Sequence, residues 1–225
     1  MSSARAHAEW KNRVTAEYSS AAVTAQVLHA LIQCGMPDAL CRTAIRIVGD
    51  ELDHAQLSHD TLLALGGEDT PAVLDANALA LRADQGPFAF LVDTIGRSFM
   101  LGETFAVPLF AAMREGTTHP VARATLDRVL RDEAVHRAFG WDALDALIEH
   151  DPDGVRARIT AALPGWLRGF RDGYGTLRPQ DPLTEEERAA GLLPIERYVA
   201  VHHGCLATEI GPWLARRGIQ APPLS

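Results

Sequence analysis

Residues 131–141 read Arg-Asp-Glu-Ala-Val-His-Arg-Ala-Phe-Gly-Trp, and residues 49–55 read Gly-Asp-Glu-Leu-Asp-His-Ala. Each stretch holds a glutamate and a histidine three positions apart: Glu51 with His54, and Glu133 with His136. On a helix that spacing puts both side chains on one face. A further glutamate precedes each motif, Glu17 by 34 residues before Glu51 and Glu103 by 30 before Glu133. Glu17 leads into Ser-Ser-Ala-Ala-Val, and Glu103 lies between Phe-Met-Leu-Gly and Thr-Phe-Ala-Val. A carboxylate in an apolar stripe is costly unless it is paired or holds a metal. In two antiparallel helix pairs these spacings bring all six groups to one level. The candidate metal ligands are therefore Glu17, Glu51, His54, Glu103, Glu133 and His136. Glu51 and Glu133 would bridge two ions, with Glu17 and Glu103 terminal and Glu9 as the alternative to Glu17.

Carboxylate oxygens suit hard cations, and imidazole moves the preference toward iron, manganese or zinc. The expected cofactor is two iron ions, with a manganese/iron pair as the variant. Asp50 and Asp132 stand directly before the motif glutamates. Ligand histidines need their second ring nitrogen held, so Asp50 is expected to support His136 and Asp132 to support His54. Arg46 or Arg131 would balance the added charge.

Around these motifs the chain reads as helix almost throughout. The expected helices run from about Ala6 to Ile32, Asp38 to Leu65, Pro87 to Arg114 and Pro120 to Glu149 (capped by Thr117 or Thr118), and a break at 151–154 leads to a fifth through about Phe170. Gly35 to Asp38 and Gly66-Gly67 supply the first two stops. A short helix from Thr70 through Leu81 is expected within the link between the second and third helices, and Pro108 is a candidate kink. Arg171 to Pro182 reads as a Gly/Pro-rich loop. Thr184 and Glu187 have capping-box spacing and open a last helix to about Arg217, with a possible break between Gly191 and Pro194. The fold class is all-α: a four-helix bundle with one long crossover and two additional C-terminal helices. One domain is expected, with residues 6–150 as the core and 151–225 as the extension.

Composition limits the partners. The 225 residues are 47% hydrophobic, enough to bury a core, and the net charge of −8 disfavours a phosphate backbone. The apolar run at 87–110 is interrupted by Asp93, Arg97 and Glu103, so it reads as a buried helix rather than a membrane span. Neither nucleic acid nor membrane is expected, and the expected location is the cytoplasm. Cys34, Cys41 and Cys205 make no disulfide framework.

The Glu-Leu-Asp-His and Asp-Glu-Ala-Val-His-Arg-Ala-Phe-Gly-Trp stretches resemble the ferritin-like di-iron carboxylate superfamily over roughly residues 8–148. Glu17, Glu51, His54, Glu103, Glu133 and His136 match its ligand pattern, and Asp132 resembles the aspartate that orients a ligand histidine in the ribonucleotide reductase small subunit. The resemblance implies O2 chemistry at a two-metal centre, supplied by an external electron donor. Several members are disfavoured. About 75 residues follow the fourth helix, unlike a ferritin shell. A rubrerythrin's cysteine module is lacking, and Val129 stands where the N-oxygenases carry an extra histidine. A stored radical would need a tyrosine by the metals. Tyr18 should face elsewhere, and Tyr198 would approach only if the last helix covers the site.

The expected activity is a di-iron oxidase or oxygenase acting on a small organic substrate. The alternative is a ferroxidase-like or peroxide-scavenging metal protein with no organic substrate. Phe90, Ile95, Phe99, Phe105 and Leu109 are candidate pocket residues, with Gly96 and Gly102 allowing close approach. His202, His203 and Glu209 are candidate extra ligands or proton carriers, and His59 is expected off the ligand face. A homodimer is plausible.

Overall fold

A computed structural model describes residues 3–70, 74, 86–177 and 181–221. Its helices are α1 (Ala4–Gln33), α2 (Asp38–Ala64), α3 (Gly86–Thr94), α4 (Thr104–Gly116), α5 (Pro120–His150), α6 (Pro152–Phe170), α7 (Glu185–Ala189), α8 (Ile195–Cys205) and α9 (Gly211–Arg216). There is no strand among the described residues.

Local chemistry sets the ends. Ser3 caps α1 by accepting from the Ala6 N–H at 3.2 Å. Gly35, at φ +64°, closes its other end, where the Met36 N–H reaches the Leu31 carbonyl at 3.0 Å. Gly66, at φ +84°, stops α2 in the same way, with the Gly67 N–H on the Leu62 carbonyl at 2.9 Å. The cap of α5 is His119, whose Nδ1 accepts from the Ala122 N–H, and not Thr117 or Thr118. Pro120 explains the shift: it occupies the first helical position, so the residue before it becomes the cap.

The third long helix departs from the expectation. Ile95–Glu103 forms a π-helical segment that joins α3 to α4 in one continuous rod. Pro108 lies inside α4, downstream of that change in winding. The expected loop after α6 begins instead with a π turn at Arg171–Gly175. The last expected helix is broken between Gly191 and Pro194 into α7 and α8, with a π segment at Leu206–Ile210 leading to α9. Gly191 sits at φ +93°, and Pro194 restarts the chain as the cap of α8. The expected short helix at 70–81, and most of the crossover, fall outside the described residues.

Four rods form the bundle. α1 and α2 make one hairpin, and the α3–α4 rod and α5 make the other. Between hairpins, α2 and α5 run antiparallel, because Asp50 meets His136, His54 meets Asp132 and Thr61 meets Thr125. Arg13 near the start of α1 meets Met113 near the end of α4, so these also run antiparallel. It follows that α2 and the α3–α4 rod run the same way, and the link between them must traverse the bundle. That is the ferritin-like order.

The core runs the length of the bundle through Leu31, Ile47, Leu62, Phe99, Leu126 and Phe139. Gly140 of α5 lets the π segment approach so closely that a Cβ there would lie 2.7 Å from the Phe99 carbonyl carbon. α7 closes one end: Glu187 accepts from Ser3 and Arg5 at 2.6–3.0 Å, and the Trp10 indole donates to the Ala190 carbonyl at 2.9 Å. The hydrogen bonds from Arg5 are the main reason the Glu187 carboxyl is held down at about 2. All three cysteines are free. No helix among the described residues is long and apolar enough to cross a membrane.

Candidate metal centre

The six expected donors meet at mid-bundle. Glu51, His54, Glu133 and His136 are each at most 2% exposed, Glu17 is 8% exposed, and Glu103 is half-buried with its carboxyl well inside the protein. They form two groups that could each hold an ion: Glu17, Glu51 and His54, and Glu51, Glu103 and His136, with the donor atoms of each group within 4.8 Å of one another. Glu51 belongs to both, as a bridging carboxylate would. Glu133 completes the ring. Its Oε1 lies 3.9 Å from His54 Nδ1 and its Oε2 lies 3.5 Å from His136 Nδ1. Glu51 stands opposite with the same reach, 3.5 Å to His54 Nδ1 and 3.6 Å to His136 Nδ1.

The two ring nitrogens of each histidine have different surroundings. His54 Nε2 lies 3.2 Å from Asp132, and His136 Nε2 lies 3.5 Å from Asp50. Each aspartate thus reaches across from the opposite helix, in the pairing the sequence led us to expect, and leaves both Nδ1 atoms aimed inward. Glu51 Oε2, His54 Nδ1, Glu133 Oε2 and His136 Nδ1 are buried with no hydrogen-bond partner among the described residues. Orphaned polar atoms of this kind are costly unless something fills the space between them. Four orphans facing one volume fit a pair of cations. Hard oxygen donors with two imidazoles are a ligand set for iron, manganese or zinc.

Without cations the centre resists charge. Burial pushes the Glu17 and Glu103 carboxyls well above the usual range, and their anionic neighbours push further. Burial likewise pushes Glu133 up to about 8. Glu51 is the exception. Burial would raise it too, but His54, His136, Glu17 and Ser20 together outweigh that and hold it low. The Ser20 hydroxyl donates to Glu51 Oε1 at 2.5 Å.

Two supporting residues were not singled out from the sequence. Ser20 is one; its signal was its place one turn after Glu17 on the face turned toward α2. Arg128 is the other. It pairs with Asp132 and lies 3.2 Å from Asp53 and 3.5 Å from Asp50, so one guanidinium links both histidine-holding aspartates. Its four-residue spacing to Asp132 was the available signal. Arg46 and Arg131 add contacts of 3.3 Å to Asp50 and Asp132. Burial alone would raise Asp132, but Arg128, His54 and Arg131 hold it below its usual range.

The other candidates sort by location. Glu209 pairs with Arg137 at 3.0 Å, His203 is exposed, and His202 is buried against Phe105 with ring centroids 5.7 Å apart. None joins either donor group. Glu9 pairs with Arg13 and His59 with Asp69, both away from the donors. Tyr18 is 37% exposed, and Tyr198 stacks on Tyr174 at 6.4 Å.

A cleft of about 580 Å³ lies between the π segment with α4 on one side and α6 with its π turn on the other, and none of the six donors lines it. Phe105 and Leu109 line it as expected, whereas Ile95 and Phe99 are core residues and Phe90 packs against the core. Gly96 is a packing position, since a Cβ there would lie 2.6 Å from the Trp166 ring. Gly102 and Ala106 line the cleft and flank Glu103 in sequence and along the helix.

The molecule is thus an all-α bundle with two Glu/Glu/His clusters resembling a ferritin-like di-iron site. No protein-family model, no curated protein and no solved structure matches the chain. The resemblance rests on helix order and donor geometry.

Proposed function

We propose that this chain is a non-haem di-iron oxidase or oxygenase that uses O2 to oxidise a small organic molecule, with electrons from an external donor. The observation that supports the reading is a cleft on the same helical rod as Glu103, lined by Gly102 and Ala106 and by none of the six donors. A centre that only oxidised or stored iron would need no organic-sized space on the rod that supplies a ligand. Pockets of roughly 300–1,000 Å³ are typical of small-molecule sites, and the cleft's 580 Å³ falls in that range.

In this reading Glu51 and Glu133 would serve both ions, Glu17 and Glu103 one each, and the Nδ1 atoms of His54 and His136 would hold one ion each. A reduced iron pair, when bound, supplies the electrons that activate O2. Asp132 holds the His54 Nε2–H and so fixes its inward tautomer, and Asp50, 3.5 Å from His136 Nε2, is placed to do the same once the ring is drawn onto an ion. Arg128, Arg46 and Arg131 offset the aspartates' charge and keep them as acceptors. The apolar walls above and below the donors exclude water, which strengthens every charge interaction inside.

The test is O2 uptake by the chain reconstituted with ferrous iron without oxygen. An oxygenase gives uptake that continues with a reductant and rises with a suitable organic compound. A ferroxidase gives uptake that stops when the added iron is oxidised and ignores every organic compound offered. The second result would overturn the proposal.

A further inference from the structure

The cleft between the π segment and α6 has features that packing does not explain. Gly102, Gly165 and Gly169 all line it, and all lie inside helical segments. Glycine in a helix interior costs about 1 kcal/mol relative to alanine. Where such a glycine is needed for packing, a Cβ would clash, as at Gly96 and Gly140. At Gly102 and Gly165 a Cβ would meet nothing closer than 3.7 Å, and at Gly169 nothing within 4 Å. These glycines do not let helices approach; they leave room.

The walls of that room have two characters. Phe105, Phe110, Trp166, Phe170 and Tyr174 give an aromatic surface. The polar end is Arg97 with Ser98. Most arginines near the bundle have a carboxylate or carbonyl partner, but exposed Arg97 has no hydrogen bond or ion pair among the described residues. The Ser98 hydroxyl next to it also has no side-chain hydrogen bond among the described residues. A guanidinium presents a planar fork of donors matched to a carboxylate. Aromatic walls favour a flat apolar body through edge and face contacts.

We propose that this cleft binds a small amphiphilic carboxylate, its apolar body against the aromatic wall and its carboxylate on Arg97 and Ser98. That this ligand is the substrate rests on the oxygenase reading; that it binds does not. At about 30 Å³ for each water-sized group, the space holds roughly twenty such groups. A monocarboxylate carrying one ring or a medium acyl chain fits.

The probe is phenylbutyrate, with the uncharged phenylbutanol as its control, titrated calorimetrically into the full chain. Phenylbutyrate should bind saturably at one site per chain, roughly three- to tenfold tighter than the alcohol, as an exposed charge-assisted contact allows. Arg97→Gln should erase that preference and leave the alcohol's affinity unchanged. Ala106→Phe, which fills the cleft, should abolish binding of both, with an unchanged circular dichroism spectrum showing that the fold survives. Three results would overturn the proposal: no saturable binding of phenylbutyrate, an Arg97→Gln chain that binds the acid as well as the parent, or an Ala106→Phe chain that folds and still binds. Saturable binding without any effect on O2 uptake by the iron-loaded chain would sink the oxygenase reading and leave the site standing.

Discussion

α1 is an unbroken α-helix from Ala4 to Gln33, whereas the rod that matches it in the second half passes through π geometry from Ile95 to Glu103. Both supply one glutamate to the centre, but their surroundings differ. Glu17 is buried, with Arg13 one turn before it packed over the Trp10 and Phe110 rings at 4.8 and 5.4 Å. Glu103 is half-buried and ends the π segment beside a cleft. π segments recur at functional sites because the extra residue re-aims the side chains that follow. A nearly symmetric donor set thus has unlike neighbours: packed core around Glu17, and a cleft on the rod that carries Glu103.

The largest break in this arrangement should come from the bridging pair. Glu51→Ala or Glu133→Ala takes a donor from both ions, so metal content after reconstitution should fall from two per chain to below one. Glu17→Ala and Glu103→Ala should each leave about one, because each serves one ion. Metal analysis with circular dichroism as the folding control checks this. Equal losses in all four variants would remove the distinction between bridging and terminal roles.

Acidity sharpens the same contrast. Without metal, Glu133 is held at about 8 against an ordinary 4.5, and Glu17 and Glu103 are also raised well above it. The folded chain then binds more protons than the unfolded chain between those values. Stability of the metal-free protein should therefore fall as pH rises from about 4.5 to about 8. Cations displace those protons, so the loaded protein should run the other way and lose metal on acidification. Melting curves at the two ends of this window, with and without metal, should cross; parallel pH dependences would contradict the account.

Smaller effects test the supports. Asp132→Asn should weaken metal affinity by roughly 10- to 100-fold, as loss of a histidine-orienting partner typically does. Asp50→Asn should cost less, because Asp50 stands 3.5 Å from its histidine against 3.2 Å for Asp132. Gly140→Ala should lower stability by about 1–3 kcal/mol through overpacking against the Phe99 backbone, seen as a lower Tm. At the bottom of the range, Glu209→Gln should change stability by about 0–1 kcal/mol and leave metal content untouched, since its partner is Arg137 and not the centre.

The donors were legible because chemistry leaves few reasons for Glu103 to stand between Met100-Leu101 and Phe105, or for Glu-x-x-His to recur at matched intervals. The aspartate pairing was legible for a related reason: Asp50 and Asp132 hold equivalent positions, and antiparallel helices bring each to the other's histidine. The helix stops at Gly35 and Gly66 and the capping box at Thr184 were legible from turn chemistry alone. The π segments were not, because one added residue per turn shifts backbone angles only slightly and leaves no composition mark in Ile-Gly-Arg-Ser-Phe-Met-Leu-Gly-Glu. Arg171-Asp-Gly-Tyr-Gly read as loop because its glycines dominate local propensity, while packing against α8 keeps it wound. Arg128 looked like one more surface arginine, since its role depends on Asp50 and Asp53 arriving from another helix. The cleft as a whole could not be foreseen, because it depends on α6 packing along α3 and the π segment with glycines that leave room between them.

Six side chains from two hairpins, we propose, hold two ions at one level of the bundle. Metal analysis of the chain purified without added metal, then reconstituted with ferrous iron without oxygen, tests it most directly. Two iron ions per chain are predicted, and fewer than one per chain would contradict a two-metal centre.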